Sequence, residues 1–371
     1  MAKVCHFTSA HQPGDVRIFH KQCVSLAKAG YEVYLVQPGE SCKEKGVHIV
    51  GLGQPPAGRL MRMTSYAKKA YKTALSLDAD IYEFHDPELL PWGLKLKKKG
   101  KKVVFDSHEM YVEQIMLKNY LPRWTRSLVA ALYGVYENYV LKRIDGITFE
   151  SLRGGTHPFA GRCPHTALLN NVPLLDELYD FYDPAADKYP RSLVYVGGLS
   201  HLRGITQLVQ AAALSGSVAY LAGKFMPPEY RQQLEAMPEY SCVQYQGILD
   251  RDGIRNLLQR CQIGIATVFD VGQYYRNDNL LTKTYEYMAM GLPVIITCSD
   301  YNERLMEEYP FGICVNPQDP KDIAAAIQYL LDHPEEARRM GENGRRAVRE
   351  RFNWEVEVNN LLNLYERILN G

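Results

Sequence analysis

One predicted helix near residue 280 carries side chains suited to hold a nucleotide. In DNLLTKTYEYMAMG (278–291), Lys283 and Glu286 are three residues apart and lie on neighbouring faces of that helix. A helix N-terminus offers free N–H groups and a partial positive charge to a diphosphate, and Lys283 would add a full charge. Glu286 could accept hydrogen bonds from two neighbouring ribose hydroxyls. We expect the helix to begin near Asn279 or Thr282, which are both acceptable N-caps, and to end with Gly291 at its C′ position.

A second basic side chain suited to phosphate lies early in the second half of the chain. Arg203 follows the apolar run SLVYVGGL, which predicts a strand, and precedes Gly204 and a predicted helix. A guanidinium is planar and can bind two phosphate oxygens through parallel N–H bonds, which an ammonium cannot. Arg203 is therefore a candidate clamp for the diphosphate, although a solvated loop arginine would look the same in the sequence.

Polar residues in the first half follow three predicted strands at the points where the strands end. His11 comes after KVCHFTSA, His85 and Asp86 after DIYEF, and the run DSHE (106–109) after KVVF. In open α/β sheets, ligands bind beyond the carboxyl ends of the strands. These side chains are therefore candidates for substrate contact, while each imidazole is also compatible with a structural role at a strand end.

The sequence lacks the spacings typical of catalytic metal sites, with no paired-histidine helix and no cysteine cluster. We therefore expect a reaction that uses neither a metal ion nor another cofactor. The eight cysteines form no C-x-x-C pair, and several lie in apolar runs. This pattern favours reduced, partly buried thiols over a disulfide framework.

Short apolar strands alternate with amphipathic helices through both halves, which predicts mostly parallel sheets covered by helices. The 371 residues fit two domains at roughly 100–200 residues each. The stretch 174–190 has no clean period and contains two prolines, so we expect a linker there. The predicted fold is α/β, with two doubly wound, Rossmann-like domains facing across a cleft. Their expected bounds are 1–182 and 183–353, followed by a final helix over 354–371.

The net charge of +1 hides an asymmetry between the halves, because residues 1–182 carry +6 and residues 183–371 carry −5. The basic half indicates an anionic partner or membrane surface, or a solvated face with chance asymmetry. Its aromatic, basic stretch 119–136 is typical of a helix on a bilayer surface, or of a buried core helix. We find no signal peptide and no apolar run long enough to span a membrane. We expect a cytoplasmic protein that can touch the inner face of the plasma membrane.

The segment DNLLTKTYEYMAMGLPVIIT (278–297) resembles the donor-site signature of the family 4 glycosyltransferases, which are retaining enzymes of GT-B fold. Their usual pattern has two Glu residues eight positions apart, followed by an A-M-A-x-G-x-P-V-like run. Glu286 matches the second Glu, while Asp278 replaces the first. The resemblance implies that Glu286 binds the ribose, that Asp278 contacts the transferred sugar, and that backbone amides hold the diphosphate. Those amides belong to Leu280, Leu281 and Thr282.

The segment YVGGLSHLRGITQLVQA (195–211) resembles the first strand and helix of that family's donor domain, usually V-G-R-L-x-x-x-K-G. Arg203 stands where the Lys is usual, and Gly198 stands where the Arg is usual. One of two expected cations is therefore absent from this strand, and Lys283 or Lys224 is expected to replace it. The resemblance extends to the closing helices and implies that the last one packs back on the first domain.

The first half resembles one bacterial branch of the family, which often serves cell-surface polysaccharide assembly. Its first loop, HQPGDVRI, matches a pattern that reads roughly H-x-x-x-D-x-R-I, and HDP (85–87) and DSHE (106–109) match as well. The resemblance implies that His108 contacts the transferred sugar. The other acceptor-side candidates are His11, Asp15, Arg17, His85, Asp86 and Glu109.

These features predict a retaining, metal-independent glycosyltransferase with catalytic residues His108, Asp278 and Glu286. We expect a nucleotide-diphosphate sugar as donor, with UDP favoured over GDP, and a glycan or lipid-linked acceptor; no nucleic-acid partner is expected. Family members are thought to react by front-face attack, with the donor phosphate taking the acceptor proton. The departures at Gly198 and Asp278 leave two alternatives open, a catalytically inactive GT-B scaffold and a nucleotide-sugar epimerase of related fold.

Overall fold

The computed structural model describes residues 1–117, 121–269 and 277–371. The chain forms two compact units, the first of Met1–Asn171 with Glu357–Gly371 and the second of Val172–Val356. Part of the predicted bilayer-surface stretch, residues 119 and 120, lies outside the described residues.

The first unit is built on an eight-stranded sheet in the order β3-β4-β2-β1-β5-β6-β7-β8. All neighbouring strands pair in parallel except β3, which runs antiparallel to β4. The strands are β1 Lys3–Phe7, β2 Glu32–Gln37, β3 Cys42–Glu44, β4 Val47–Gly51, β5 Ile81–Phe84, β6 Lys102–Ser107, β7 Gly146–Phe149 and β8 His165–Leu168.

Helices cover both faces of this sheet. They are α1 Val16–Cys23 continuing as Val24–Lys28, α2 Arg59–Met61 continuing as Arg62–Tyr66 and Ala67–Ser76, α3 Leu90–Lys97, α4 Tyr111–Leu117 and α5 Arg123–Leu141. One core cluster packs α2, α3 and α5 on the sheet, and a second contains α1 and the end of the chain. The central strands are buried almost throughout, which is typical of parallel strands covered on both faces.

The second unit is built on a six-stranded, fully parallel sheet in the order β11-β10-β9-β12-β13-β14. Its strands are β9 Ser192–Val196, β10 Val218–Ala222, β11 Val243–Gly247, β12 Ile263–Ala266, β13 Val294–Thr297 and β14 Gly312–Val315. The helices that follow β9 onward are α6 Ile205–Leu214, α7 Tyr230–Glu235, α8 Arg251–Arg260, α9 Thr282–Ala289, α10 Asp300–Glu308, α11 Pro320–Asp332, α12 Pro334–Glu350 and α13 Trp354–Asn370.

Both sheets have a point where the strand order reverses, and the candidate residues lie there. In the first unit β1 lies between β2 and β5, and in the second β9 lies between β10 and β12. Loops that leave the carboxyl ends of strands on either side of such a point diverge and open a crevice. His11, His85 and His108 follow β1, β5 and β6, as the sequence predicted, whereas Asp106 and Ser107 are still part of β6.

α9 begins at Thr282, as expected, but its cap differs from the sequence expectation. Its N-cap is Leu281, which offers no side-chain hydrogen bond, so the predicted capping by Asn279 or Thr282 is wrong. The Asn279 side chain instead accepts a hydrogen bond from the Tyr285 hydroxyl at 2.5 Å. Gly291 follows the helix with φ +66°, as its predicted role at the helix end requires.

The chain leaves the first unit earlier than the sequence indicated, and it returns within the final helix, as the resemblance implied. It enters the second unit at Val172, before the stretch 174–190 where we expected the linker. That stretch packs on the second unit, where Leu178 is buried and the Arg345 guanidinium donates to the Tyr179 carbonyl at 3.1 Å. From Glu357 onward the final helix belongs to the first unit.

In the described part of the chain, we find no helix that is both long and apolar enough to cross a membrane.

Candidate active site

Asp106 is the centre of a buried polar network at the carboxyl end of β6 in the first unit. Both of its oxygens accept hydrogen bonds from the Arg17 guanidinium, at 3.0 Å from Nε and 2.7 Å from Nη2. Gln22 and Thr148 each donate a further bond at 2.7 Å. Burial raises the pKa of the Asp106 carboxyl, but the charge of Arg17 and the hydrogen bonds from His108 and His85 outweigh it and hold the pKa well below its ordinary value. Asp106 is therefore ionised at neutral pH.

Two imidazoles share one oxygen of this carboxylate. His85 Nδ1 lies 3.1 Å and His108 Nε2 lies 2.9 Å from Asp106 Oδ2, and the two nitrogens are 3.3 Å apart. His85 and Asp106 are fully buried, whereas the His108 side chain is 13% exposed. Of these three groups, His108 is the one that a ligand can reach.

The loop after β1 brings three further predicted residues to the same edge. His11 Nδ1 lies 3.1 Å from Asp15 Oδ2, and the His11 and His108 rings are 4.6 Å apart. Burial lowers the pKa of His11, but the carboxylates of Asp15 and Asp86 outweigh it and raise the pKa. Asp15 also caps α1, because its side chain accepts from the Ile18 amide at 2.9 Å.

Asp86 and Arg17, both predicted on the acceptor side, have protein partners on several sides. Asp86 accepts hydrogen bonds from the Thr8 hydroxyl at 2.8 Å and the Ser9 amide at 2.6 Å, so it fixes the loop after β1. Arg17 is 4% exposed and, besides gripping Asp106, donates to the Leu169 carbonyl at 2.9 Å. Its position behind Asp106 indicates a supporting role rather than contact with an acceptor.

A third layer of polar groups lies behind His85. His6 Nδ1 is 3.0 Å from His85 Nε2, and His6 Nε2 is 3.1 Å from the Tyr365 hydroxyl. That hydroxyl is 2.5 Å from Glu83 Oε2. Tyr365 comes from α13, so the end of the chain completes a network that begins in the first strand.

Two overlapping sets of potential ligand atoms lie within 4.8 Å of one another, those of His6, Glu83 and His85 and those of His85, Asp106 and His108. Asp106 belongs to the second set, but it is already paired with the fixed positive charge of Arg17. A cation bound there would face that guanidinium, and like charges at short range repel. The arrangement therefore suits the sharing of protons better than the binding of a metal.

In the second unit, Lys283 is buried beside the first strand. Its Nζ lies 3.5 Å from the centroid of the Tyr195 ring. Gly197, with φ +128°, leaves room for it, since a Cβ there would lie 3.2 Å from Nζ. Burial, and then the charge of Arg203, lower the pKa of Lys283 well below its ordinary value, and Glu286 offsets only part of this. The predicted cations and the predicted ribose carboxylate therefore lie within electrostatic range of one another.

Glu286 is held by an arginine that the sequence analysis did not single out. Arg251, the first residue of α8, donates from Nη1 to Glu286 Oε1 at 2.8 Å. Its Nε lies 2.5 Å from Glu177 Oε1. An arginine between two carboxylates fixes the orientation of both, so Glu286 is oriented before any ligand binds.

Arg203 ends a short helical turn, and Gly204 follows in the left-handed conformation with φ +67°. A Cβ at Gly204 would lie 3.0 Å from Thr267 Oγ1, so a side chain there would close the space between this turn and the end of β12. Thr267 Oγ1 is buried and has no hydrogen-bond partner among the residues that the structure describes. The turn thus places a cation next to an unpartnered hydroxyl.

The remaining predicted donor-site residues lie around the same sheet edge. Gly198 faces Met226, and Lys224 pairs through its carbonyl with the Leu199 amide at 2.9 Å while its side chain is exposed. The Leu280 amide is 3.4 Å from the Tyr285 hydroxyl, and Leu281 and Thr282 begin α9. Asp278 lies in the loop before α9, where its charge adds to the effect of burial in raising the pKa of Tyr301. In the first unit, the charge of Glu109 likewise adds to the effect of burial in raising the pKa of Tyr111.

Comparison with known protein families decides the identity of the chain. Residues 14–151 match the family described as "Glycosyltransferase Family 4", and residues 203–363 match the family described as "Glycosyl transferase-like". Together the two matches span about four fifths of the sequence. The chain belongs to the family 4 glycosyltransferases.

Curated relatives of this glycosyltransferase include two bacterial proteins. "MMP alpha-(1->4)-mannosyltransferase" of Mycolicibacterium hassiacum is 23% identical over 82% of this chain and 75% of its own length. "Spore coat protein SA" of Bacillus subtilis is 36% identical, but the match covers only 22% of each chain.

Solved structures resemble the glycosyltransferase over almost its whole length. Sucrose-phosphate synthase of Thermosynechococcus elongatus gives a TM-score of 0.78 at 18% identity, covering 100% of both chains. HepE of Anabaena, solved with UDP-glucose, gives 0.70 at 13% identity, covering 99% of this chain and 100% of its own. These matches confirm the predicted α/β fold class and its GT-B type.

Several network residues of this glycosyltransferase were missed by reasoning from the sequence. His6 and Glu83 are polar residues at buried strand positions, and that anomaly was the available signal. Asp106 lies in the DSHE run, but the resemblance pointed to the imidazole of His108 in that run. Arg251 and Tyr365 gave no local signal, since each lies on an amphipathic helix among other polar residues.

Proposed function

We propose that this glycosyltransferase is a retaining enzyme that takes its sugar from a nucleoside-diphosphate sugar, with a UDP-sugar favoured, and needs no metal ion. One observation carries the proposal. Lys283 is a buried cation beside Arg203, and within the described ranges no carboxylate lies at ion-pair distance from its Nζ. Burying a charge without a counter-charge is costly. A diphosphate bound between Lys283 and Arg203 would supply that counter-charge.

The same two cations support metal independence. In a metal-free reaction the leaving diphosphate must be stabilised by fixed positive charges and amide dipoles. Lys283, Arg203 and the first amides of α9 supply these groups on one side of the second sheet. Glu286, oriented by Arg251, is proposed to accept hydrogen bonds from the ribose hydroxyls, and Asp278 to contact the transferred sugar.

The favoured base and the retaining outcome rest on separate observations. HepE, which this chain resembles in fold, was solved with UDP-glucose. We propose front-face attack, with the donor phosphate accepting the acceptor proton, because Asp278 and Glu286 are assigned to binding. His108 is proposed to contact the transferred sugar, since it is the most exposed imidazole on the Asp106 carboxylate.

We propose a glycan or lipid-linked acceptor at an anionic membrane surface, in cell-surface polysaccharide assembly. The exposed face of α5 supports the membrane contact in this proposal. The side chains of Trp124, Leu128, Leu132 and Val135 recur on one face of the helix and are 61–83% exposed. Exposed basic residues stand at the two ends of this helix, namely Arg123, Lys142 and Arg143. Apolar residues flanked by cations are the composition of helices that lie in a bilayer interface. We define these four apolar residues as the α5 stripe.

A direct test combines binding with turnover. UDP, GDP and their sugars are titrated into the protein by calorimetry, and transfer is then assayed with the donor that binds, with and without EDTA. We expect UDP to bind more tightly than GDP, and transfer to survive EDTA with the anomeric configuration retained. Loss of transfer in EDTA that manganese restores would overturn metal independence. Binding without any transfer or donor hydrolysis would favour the inactive scaffold.

A further inference from the structure

The buried network of the first unit forms one continuous line of hydrogen bonds from Glu83 to Asp106. Its successive links are Glu83 Oε2 to Tyr365 Oη at 2.5 Å, Tyr365 Oη to His6 Nε2 at 3.1 Å, His6 Nδ1 to His85 Nε2 at 3.0 Å and His85 Nδ1 to Asp106 Oδ2 at 3.1 Å. Every side chain in the line is buried. Each internal group can donate one proton and accept one, so the position of one proton fixes the direction of all four bonds.

The Asp106 end of the line sets that direction. Asp106 is ionised and can only accept, so the contact at 3.1 Å requires a proton on His85 Nδ1. Burial lowers the pKa of His85, so a neutral ring is expected, and its Nε2 must then accept from His6 Nδ1. Burial and the neighbouring His85 lower the pKa of His6 well below its ordinary value. A neutral His6 must in turn accept at Nε2 from the Tyr365 hydroxyl.

The other end of the line then requires a proton on Glu83. Tyr365 has one hydroxyl proton, and His6 takes it, so the short contact to Glu83 Oε2 needs the proton of a carboxylic acid. Glu83 Oε1 is buried, and no residue in the described ranges makes a hydrogen bond with it. The Thr148 hydroxyl is close to the carboxyl groups of both Glu83 and Asp106, but it donates its one proton to Asp106. An ionised Glu83 would therefore be poorly solvated.

We propose that Glu83 is a protonated carboxylic acid at neutral pH and that Glu83, Tyr365 and His6 are positioning residues, which continue from His85 the proton order that Asp106 sets and support its neutral Nδ1–H tautomer. Burial, and then the charge of Asp106, raise the pKa of Glu83, in agreement with this assignment. The charged or titratable groups that act on Glu83 from the surrounding elements are Asp106, Arg17, Tyr365, Cys23 and His6.

The line matters for the reaction because it decides which nitrogen of His108 faces a ligand. With His85 donating to Asp106 Oδ2, His108 Nε2 must also donate to that oxygen at 2.9 Å rather than accept from His85. His108 Nδ1 is then left to accept a hydrogen bond from a sugar hydroxyl. This consequence rests on the proposed function, whereas the state of Glu83 and His85 does not.

The decisive experiment reads protons directly and needs no sugar transfer. Infrared difference spectra of wild type minus Glu83→Gln at neutral pH should contain a carboxylic acid C=O band. Side-chain ¹⁵N NMR should report a neutral His85 protonated at Nδ1, in wild type and in Glu83→Gln alike, because an amide N–H can replace the acid O–H toward Tyr365. Absence of the acid band, or an imidazolium at His85, would overturn the proposal.

A pH series and a matched pair of hydroxyl deletions test the rest of the line. Raising the pH should ionise Glu83 and change the His6 and His85 signals in wild type but not in Glu83→Gln. Tyr365→Phe removes the acceptor of the Glu83 proton and should shift the acid C=O band while Asp106 keeps His85 protonated at Nδ1, whereas Tyr31→Phe should leave the band in place, although the Tyr31 ring lies 6.0 Å from that of Tyr365. An unchanged acid band in a folded Tyr365→Phe protein would refute the relay. If that variant fails to fold, the Glu83→Gln spectra still decide.

Discussion

At the scale of single residues, two buried ionisable groups of this protein lack a full set of partners. Lys283 is buried over an aromatic ring without an ion pair in the described chain, and Glu83 is a buried carboxyl with one unpartnered oxygen. Such groups lower stability unless a ligand or a proton compensates them. Each therefore yields a prediction about what compensates it.

Lys283→Met should weaken UDP binding by roughly ten- to a hundredfold, as expected when a charged hydrogen bond is lost. Lys188→Met is the control for losing a lysine charge elsewhere in the second unit, because Lys188 is exposed and lies before β9 rather than after it. Calorimetry with UDP measures both. Equal dissociation constants for Lys283→Met and wild type would place the diphosphate elsewhere, with Lys224 next to be tested.

Glu83→Gln should raise the melting temperature by an amount that grows as the pH increases. The ordinary pKa of this carboxyl is 4.5 and the folded protein raises it, so the stability that it contributes is present below 4.5 and is lost as the pH climbs through the folded pKa. Glutamine does not titrate and avoids that loss. Thermal melts from acid to alkaline pH give the comparison, and a constant or shrinking gain would contradict a raised pKa.

Arg251→Ala should reduce discrimination between UDP and 2′-deoxy-UDP, because Glu286 would lose the partner that orients it toward the ribose. Glu286→Ala should abolish that discrimination, which rests on a charged hydrogen bond worth roughly tenfold or more. Arg255→Ala on the same helix is the control, since Arg255 pairs with Asp252 instead. The ratio of the two dissociation constants is the readout, and a ratio unchanged in Glu286→Ala would refute the ribose assignment.

At the scale of elements, the two strand-order reversals gather side chains that are far apart in the sequence. β1, β5 and β6 deliver His6, His85 and Asp106 to one edge of the first sheet, and α13 adds Tyr365 from the opposite end of the chain. On the outer layer of the same unit, α5 buries Ala130, Val140 and Leu141 and leaves the α5 stripe exposed. One face of the helix therefore fits the prediction of a core helix, and the contact of the other face with a bilayer stays a prediction.

The double variant Trp124→Ser/Leu128→Ser should bind anionic phosphatidylglycerol vesicles at least about tenfold more weakly, because burying one large apolar side chain is worth roughly 1.5–3 kcal/mol. The control is Leu214→Ser, which changes an equally exposed leucine of the second unit. Vesicle co-sedimentation provides the measurement. Wild-type binding by the double variant, or equal loss in the control, would rule out the α5 stripe as the membrane contact.

At the scale of the whole molecule, the chain is not two consecutive domains. Residues 357–371 return to the first unit and place Leu361, Leu364, Tyr365 and Ile368 in its core. The first unit therefore cannot complete its core or its polar network until the last residues of the chain are present.

Deleting residues 357–371 should destabilise the first unit and leave the second nearly unchanged. Each of the four core side chains lost contributes about 1.5–3 kcal/mol of burial energy. Hydrogen–deuterium exchange should accelerate in β1, β5 and β6, while β9, β12 and β13 keep their protection. A replacement of an exposed residue within the deleted segment, Glu366→Ala, serves as the control. Equal acceleration in both sheets would argue against an independent second unit.

The sequence by itself determined the alternation of strands and helices and the local donor signature. Both are readable because the residues concerned are close in the chain: periodicity needs a few turns, and Lys283 and Glu286 share one helix. The Gly291 helix end was predicted for the same reason. The start of α9 near Thr282 was also predicted, but its capping was not, because the Asn279 side chain accepts from Tyr285 instead of from the helix amides.

Only the tertiary structure decided which distant groups act together. Arg17 with Asp106, Arg251 with Glu177 and Glu286, and Tyr365 with Glu83 are pairings across 35 to 282 positions of sequence. No local pattern encodes such a contact, because it depends on strand order and on where the final helix returns. The direction of the buried hydrogen bonds, and with it the proton on Glu83, follows from those contacts and from nothing in the sequence nearby.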